Sequence, residues 1–209
     1  MDGSVSDPVR LLLARHGQTE WHGDNRYVSR TDIALTETGH AQARVLAHRA
    51  EREKVDLVLS SPLGRALLTA RPAAAARNLE PEIDERLREL DFGEWEGRTL
   101  SEIREQDPET VRRFEESAEH GFPGGEPLHE GADRGLEVFA GLSRSHAGGT
   151  VLVVAHNTLL RLALCRMLGV ELGQYRRLMP RVVNGAVSEV RFGENGGALY
   201  SFNDAGGPG

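Results

Sequence analysis

The chain has 209 residues, 39% of them hydrophobic and 27% charged, with a formal net charge of −7. That length suits one α/β domain that buries a substantial core without covalent staples, and the mix is that of a soluble globular protein. The acidic balance argues against a general nucleic-acid binder and leaves room for a small basic pocket that takes an anion.

Residues 1–8 are expected to be a loose arm. They lack the basic region and apolar stretch of a signal peptide. Residues 9–14 (Val9, Arg10, Leu11, Leu12, Leu13, Ala14) are an apolar run that predicts a first strand, ending at Arg15, His16 and Gly17. A polar loop with Gly23, Asp24 and Asn25 follows. Thr36 is placed to cap a helix that runs to about Glu51. Residues 55–60 predict a second strand. Ser61 and Pro62 open the next helix, proline being acceptable in a first turn. Pro72 lies deep in that helical pattern, so a kink or restart is expected there.

Residues 82–92 read as irregular. Short helices are predicted over 99–106 and 108–119, a Gly-rich loop over 120–126, and a longer helix over 128–146. Residues 151–155 predict another buried strand, which ends at His156. A helix over 158–168 stops at Gly169. Residues 187–192 and 198–202 read as a closing hairpin, and residues 204–209 as a loose tail. Alternating strands and helices predict a three-layer α/β/α sandwich, with a mostly parallel central sheet and helices on both faces. The whole chain, 1–209, reads as a single domain.

Cys165 is the only cysteine. No internal disulfide can form, and its apolar helical setting reads as a buried inert thiol. No apolar run reaches the roughly 18 residues that a membrane-spanning helix needs. A cytoplasmic location is expected by elimination.

The strand ends carry the chemistry. In open α/β sheets, ligands bind at the carboxyl edge of the strands. Here two strands each deliver a histidine to such an edge, His16 and His156. Arg15 sits beside His16, and Arg65 follows the second strand near a helix N-terminus, where anions are favoured. A phosphoryl group needs such donors, and arginine's planar fork binds two oxygens together. A nucleophilic histidine must be neutral at its attacking nitrogen. Gly17 leaves room for a backbone approach to an oxyanion. A leaving alkoxide needs a proton donor, and Glu85, Glu89, Asp91, Glu94 and Glu96 are all available in one segment.

Six ordered pieces carry a resemblance. They are residues 12–21 around Arg15-His16-Gly17, residues 32–43, and residues 60–66 ending in Arg65-Ala66. The others are Glu89 with residues 92–97, residues 123–126, and residues 153–156. Together they resemble the histidine phosphatase superfamily, in its phosphoglycerate-mutase-like branch. The resemblance implies a covalent mechanism without metal or cofactor. His16 attacks phosphorus and becomes phosphohistidine. Arg15, Arg65 and His156 cradle the phosphoryl oxygens. Glu89, chosen from the five carboxylates by this resemblance, protonates the leaving oxygen and then activates water.

Three positions depart from the family's pattern. His22 stands where an asparagine usually contacts phosphate, so His22 takes that role, or Asn25 supplies the amide, or the contact is lost. Asn157 replaces the glycine after the second histidine. Asparagine tolerates positive φ, which keeps its N–H available to phosphate. Pro127 replaces a serine. Arg30 lies where many relatives carry a small residue and is expected to contact a second acidic group on the substrate. The loops at 21–31 and 114–130 are expected to set the substrate, with Glu126 a lid or substrate contact. Trp21 and Trp95 line the pocket mouth or pack the core. His40 and His48 fall on a solvated helix face; His120, His129 and His146 have no motif.

The function expected is a phosphomonoesterase acting on small phosphorylated metabolites. The mutase alternative is disfavoured by the compact stretch from Glu89 to His156, since the resemblance assigns mutases a longer insertion there. A phospho-ligand binder without catalysis would lack the nucleophile or the acid. A protein phosphatase would need a peptide-docking module that nothing here suggests. The expected partners are a small phosphorylated substrate and a second copy of the chain in a homodimer. Nucleic acid and membrane are not expected.

Overall fold

The computed structural model describes residues 7–206. Strand β1 (Val9–Arg15) is apolar on both sides because it lies inside the sheet. Helix α1 (Glu37–Arg52) follows, and its Thr36 cap accepts the Gly39 N–H. Strand β2 (Leu57–Ser60), helix α2 (Gly64–Ala75) and the two-residue strand β3 (Glu82–Ile83) come next. Helices α3 (Leu100–Gln106), α4 (Pro108–Glu116) and α5 (Leu128–Ser145) lead to strand β4 (Thr150–Ala155). Helix α6 (Asn157–Leu168) ends at Gly169, which has φ +67°. A short helix α7 (Tyr175–Leu178) precedes the hairpin of β5 (Val187–Gly193) and β6 (Gly196–Asp204).

The strands lie in the order β3-β2-β4-β1-β5-β6. The first four are parallel, and β5 and β6 run antiparallel to their neighbours. Alternate side chains divide the core. Leu12, Ala14, Val58, Leu152 and Val154 pack with α1 and α2 on one face. Leu11, Leu13, Val151 and Val153 pack with α5 and α6 on the other. The three-layer α/β/α expectation therefore holds.

Several boundaries differ from the expectation. Helix α2 starts at Gly64, because Ser61 and Pro62 remain in the turn after β2, and Leu63 precedes it without a side-chain cap. Pro72 neither kinks the helix into two elements nor restarts it. It sits in the last turn, where only one ladder bond is lost, and its carbonyl still accepts from Ala76. Asp204 is not loose: it ends β6 and pairs with Arg49. Pro8 and Asp7 are placed, with the Asp7 carbonyl accepting from Gly148, while residues 1–6 lie outside the described part of the chain. No described helix is long and apolar enough to cross a membrane.

Candidate active site

The parallel register builds the site. Arg15 lies opposite Ala155 in the β1–β4 pair, so His16 and His156 are the next residues out on both strands. The His16 N–H donates to the Ala155 carbonyl at 3.0 Å, which extends the ladder one step. The two imidazole centroids stand 5.1 Å apart. Strand β2 pairs Ser60 with Val154, which brings Ser61 to the same edge.

His16 is 5% exposed. Its Nδ1 lies 2.8 Å from the Gly17 carbonyl, which can only accept, so Nδ1 carries the proton and the Nε2 lone pair is free. Burial, with the charges of Arg65, Arg15 and His22 adding to it, holds the ring well below the usual histidine pKa, so it is neutral at pH 7. His156 is completely buried behind it, and its Nε2 lies 2.7 Å from Ser61 Oγ. Burial, Arg65 and His16 keep His156 neutral as well.

Arg15 and Arg65 hold the loop around these rings. Arg65, 1% exposed, donates to the carbonyls of Thr31, Ser29 and Val28. The Glu96 carboxylate secures the same loop by accepting from the N–H and hydroxyl of both Ser29 and Thr31. Arg15 donates to the Val182 carbonyl and, at 2.6 Å, to His22 Nε2. Burial draws Arg15 down to about 10, which leaves it charged at neutral pH.

Six buried side-chain atoms lack a hydrogen-bond partner among the described residues, and four belong to this one place. They are Arg15 Nε, Arg65 Nε, His156 Nδ1 and Asn157 Oδ1. Each such group costs about 1–3 kcal/mol unless something satisfies it.

Glu89 is 8% exposed and sits at the N-terminus of α6. Its Oε1 accepts from the N–H of Leu90 and Leu159, and its Oε2 from Thr158, all at 3.0 Å. The helix end is the positive end of its dipole and favours a carboxylate there. Among the five carboxylates left open by spacing, Glu89 lines the His16 cavity. Glu85 pairs with Arg88, Asp91 with Arg30, Glu94 is exposed, and Glu96 secures the loop.

The remaining expected residues are placed differently. His22 lines the cavity, but its Nε2 accepts from Arg15 and from Asn184 Nδ2, so it aims Arg15. Burial and Arg15 bring its pKa to about 4. Asn25 lines the mouth at φ +56°. The Gly17 amide is not open to an oxyanion, since it donates to Thr69 Oγ1 at 2.9 Å. The lack of a side chain there serves packing instead: a Cβ would lie 2.6 Å from the Gly39 carbonyl oxygen. Asn157 does not adopt positive φ; it is the first residue of α6, where its N–H has no intrahelical partner. Arg30 is exposed, is paired with Asp91, and lines an adjacent cavity without His16. Trp95 packs against Phe114 and Phe122 in the core. His40, His48, His120 and His129 are exposed.

Sequence reasoning missed Ser61, Asn184, Arg161, Tyr175 and Arg176. The loop at 21–31 does supply part of the wall, through Arg26 and Tyr27. The opposite wall comes from α6 and α7 and not from residues 114–130. A visible signal existed for Arg161, a charge inside the otherwise apolar run Leu159-Leu160-Arg161-Leu162-Ala163-Leu164.

Fold and site define an α/β protein in which a neutral, sealed histidine and unsatisfied arginine donors share one strand edge. Residues 11–205 match the histidine phosphatase superfamily (branch 1), and the chain belongs to that superfamily. It is 39% identical over 168 residues to phosphoserine phosphatase 1 of Hydrogenobacter thermophilus, covering 80% of each chain. It is 31% identical over 188 residues to a probable phosphoglycerate mutase of Salmonella choleraesuis, covering 90% of this chain and 86% of that one. A mycobacterial glucosyl-3-phosphoglycerate phosphatase solved with VO3 superposes with a TM-score of 0.86 at 28% identity, covering 93% of this chain and 99% of that one.

Proposed function

We propose that the protein is a phosphomonoesterase that hydrolyses small phosphorylated metabolites through a phosphohistidine on His16. The observation that carries this reading is the group of unpartnered donors beside a neutral imidazole whose Nε2 is free. A tetrahedral dianion satisfies several of them at once. The superfamily and its phosphatase relatives support the same reading.

The His16 Nε2 lone pair attacks phosphorus in line, and the ester P–O bond breaks. The leaving alkoxide takes a proton from the Glu89 carboxyl. His16, now an imidazolium, keeps its Nδ1–H on the Gly17 carbonyl, which steadies the positive charge. Arg15, Arg65, the Asn157 N–H and His156 Nδ1–H hold the oxygens. The Ser61 hydroxyl, by donating to His156 Nε2, leaves that proton on Nδ1. Water then attacks phosphorus, Glu89 takes its proton, the P–N bond breaks, and inorganic phosphate leaves. Arginine and imidazole supply the positive field, so no metal is required. We place the protein in the cytoplasm and admit a homodimer.

A phosphate-release screen over phosphorylated metabolites tests this, with His16→Ala as control. Release by the wild type and its loss in the variant are expected. An unchanged rate in His16→Ala removes the mechanism. Interconversion of 2- and 3-phosphoglycerate without phosphate release selects the mutase reading instead.

A further inference from the structure

Two cations in the His16 cavity have no part in the mechanism above. Arg161 lies on α6 one turn beyond Asn157 and is 4% exposed. Its Nε donates to the Asn157 carbonyl at 3.1 Å and its Nη1 to the Met179 carbonyl at 3.0 Å. Its guanidinium lies 4.6 Å over the Tyr175 ring. Its Nη2 donates to nothing among the described residues. Arg176, on α7, lies 4.8 Å over the Phe114 ring and reaches the Tyr27 hydroxyl at 3.5 Å.

Neither arginine has a carboxylate within 4.0 Å among the described residues. Arg26, which lines the same cavity, differs: it is paired with Asp24 and Glu102. Glu89 is the one acidic residue that lines the cavity, and its oxygens are held by main-chain amides. Holding a guanidinium out of water without a counter-ion is costly, and burial accordingly draws Arg161 below its ordinary pKa. Stacking on Tyr175 and Phe114 keeps both groups in place as a preformed, uncompensated charge. Arg30, the residue expected from the sequence to meet a second acidic group, is already neutralised by Asp91 and lines another cavity.

We propose that Arg161 and Arg176 form a second anion subsite, which takes the carboxylate of a short phosphorylated carboxylic acid while its phosphoryl group lies against His16. The proposal rests on the phosphomonoesterase reading and narrows its substrate class. The cavity is about 130 Å³. That is room for roughly ten waters at 10–15 Å³ each, so a two- or three-carbon acid fits.

Binding to the His16→Ala protein, followed by calorimetry, tests the subsite without turnover. Two matched pairs differ only by carboxylate against hydroxymethyl: phosphoglycolate with 2-hydroxyethyl phosphate, and 3-phosphoglycerate with glycerol 3-phosphate. The acid of at least one pair should bind about tenfold tighter or better, as a charge-assisted contact implies. Adding Arg176→Met should bring that pair close to parity, and Arg161→Lys should weaken the preference. No preference in either pair overturns the subsite, as does a preference that survives both substitutions. Tighter binding of 1,3-propanediol bisphosphate than of 3-phosphoglycerate, lost with Arg176→Met, overturns the assignment to a carboxylate. The same esters are then offered to the protein with His16 intact. A binding preference without any phosphate release leaves the subsite standing and removes the hydrolase. Release without any preference removes the subsite and leaves the hydrolase.

Discussion

Lowering the pH from 7.5 to 5.5 should destabilise the fold through its sealed histidines. Burial and the neighbouring arginines hold His16 and His156 well below the ordinary 6.5, which disfavours their protonation in the folded protein as the pH falls. In the unfolded chain each titrates near 6.5 and is charged at pH 5.5. The unfolded state then binds more protons, so stability is full above pH 6.5 and is lost as the pH falls below it. One pH unit below 6.5 corresponds to about 1.4 kcal/mol per histidine, so the two together cost about 3 kcal/mol. His22, drawn to about 4 but half-buried, adds only a few tenths after screening. With a urea dependence of about 2–3 kcal/mol per molar for a chain of this size, the unfolding midpoint should drop by about 1–1.5 M. Urea unfolding at the two pH values measures this, in wild type and in His16→Asn. The variant loses one of the two linked protons, so its pH-dependent drop should be about half as large. Equal midpoints at the two pH values, or an unchanged drop in His16→Asn, would refute the reasoning.

Substitutions at four positions check other parts of the structure. His22→Ala removes one of the two acceptors of Arg15 and should lower kcat/KM for phosphate release about tenfold, while His22→Asn restores an acceptor oxygen and most of the rate. Ser61→Ala frees the His156 tautomer and should cost about five- to tenfold in kcat with the fold intact by circular dichroism. Gly39→Ala would place a Cβ 2.2 Å from the Gln18 carbonyl oxygen, against backbone that cannot yield, and should cost upward of about 2 kcal/mol in urea unfolding. Arg30→Ala removes only an exposed ion pair, so kcat/KM for mono- and bis-anionic esters should both stay within about twofold of wild type.

The elements that position the site were legible because their signals are local. The Val-Leu runs at β1 and β4 are buried on both faces and end at the two histidines, so period and composition marked them. Thr36 capped the first helix as its spacing implied. Asn184 and Ser61 reach the site across long sequence separations. His22 meets Asn184 from 162 positions away, and Ser61 meets His156 from 95. Nothing in the flanking residues of either announces the partner. Gly17 and Asn157 differ from expectation for a related reason. The Gly17 amide is already bonded to Thr69, and Asn157 takes helical rather than positive φ because it opens α6. Glu89 was underdetermined by spacing among five carboxylates. Burial against a helix end separates it from the rest, and burial is a tertiary property.

The grip on Glu89 has an evolutionary reading. Its three donors are main-chain amides, which every residue except proline supplies. Side-chain replacement at Leu90, Thr158 or Leu159 therefore leaves the carboxyl clasped, and natural variation can rewrite those positions without disturbing it. What can shift it is the seat of α6 itself. That seat includes Gly135 of α5, where an added methyl would come within 2.8 Å of the Ala163 side chain and press the helices apart. The Glu89 side chain is thus shielded from point changes beside it, yet answerable to a glycine on the neighbouring helix.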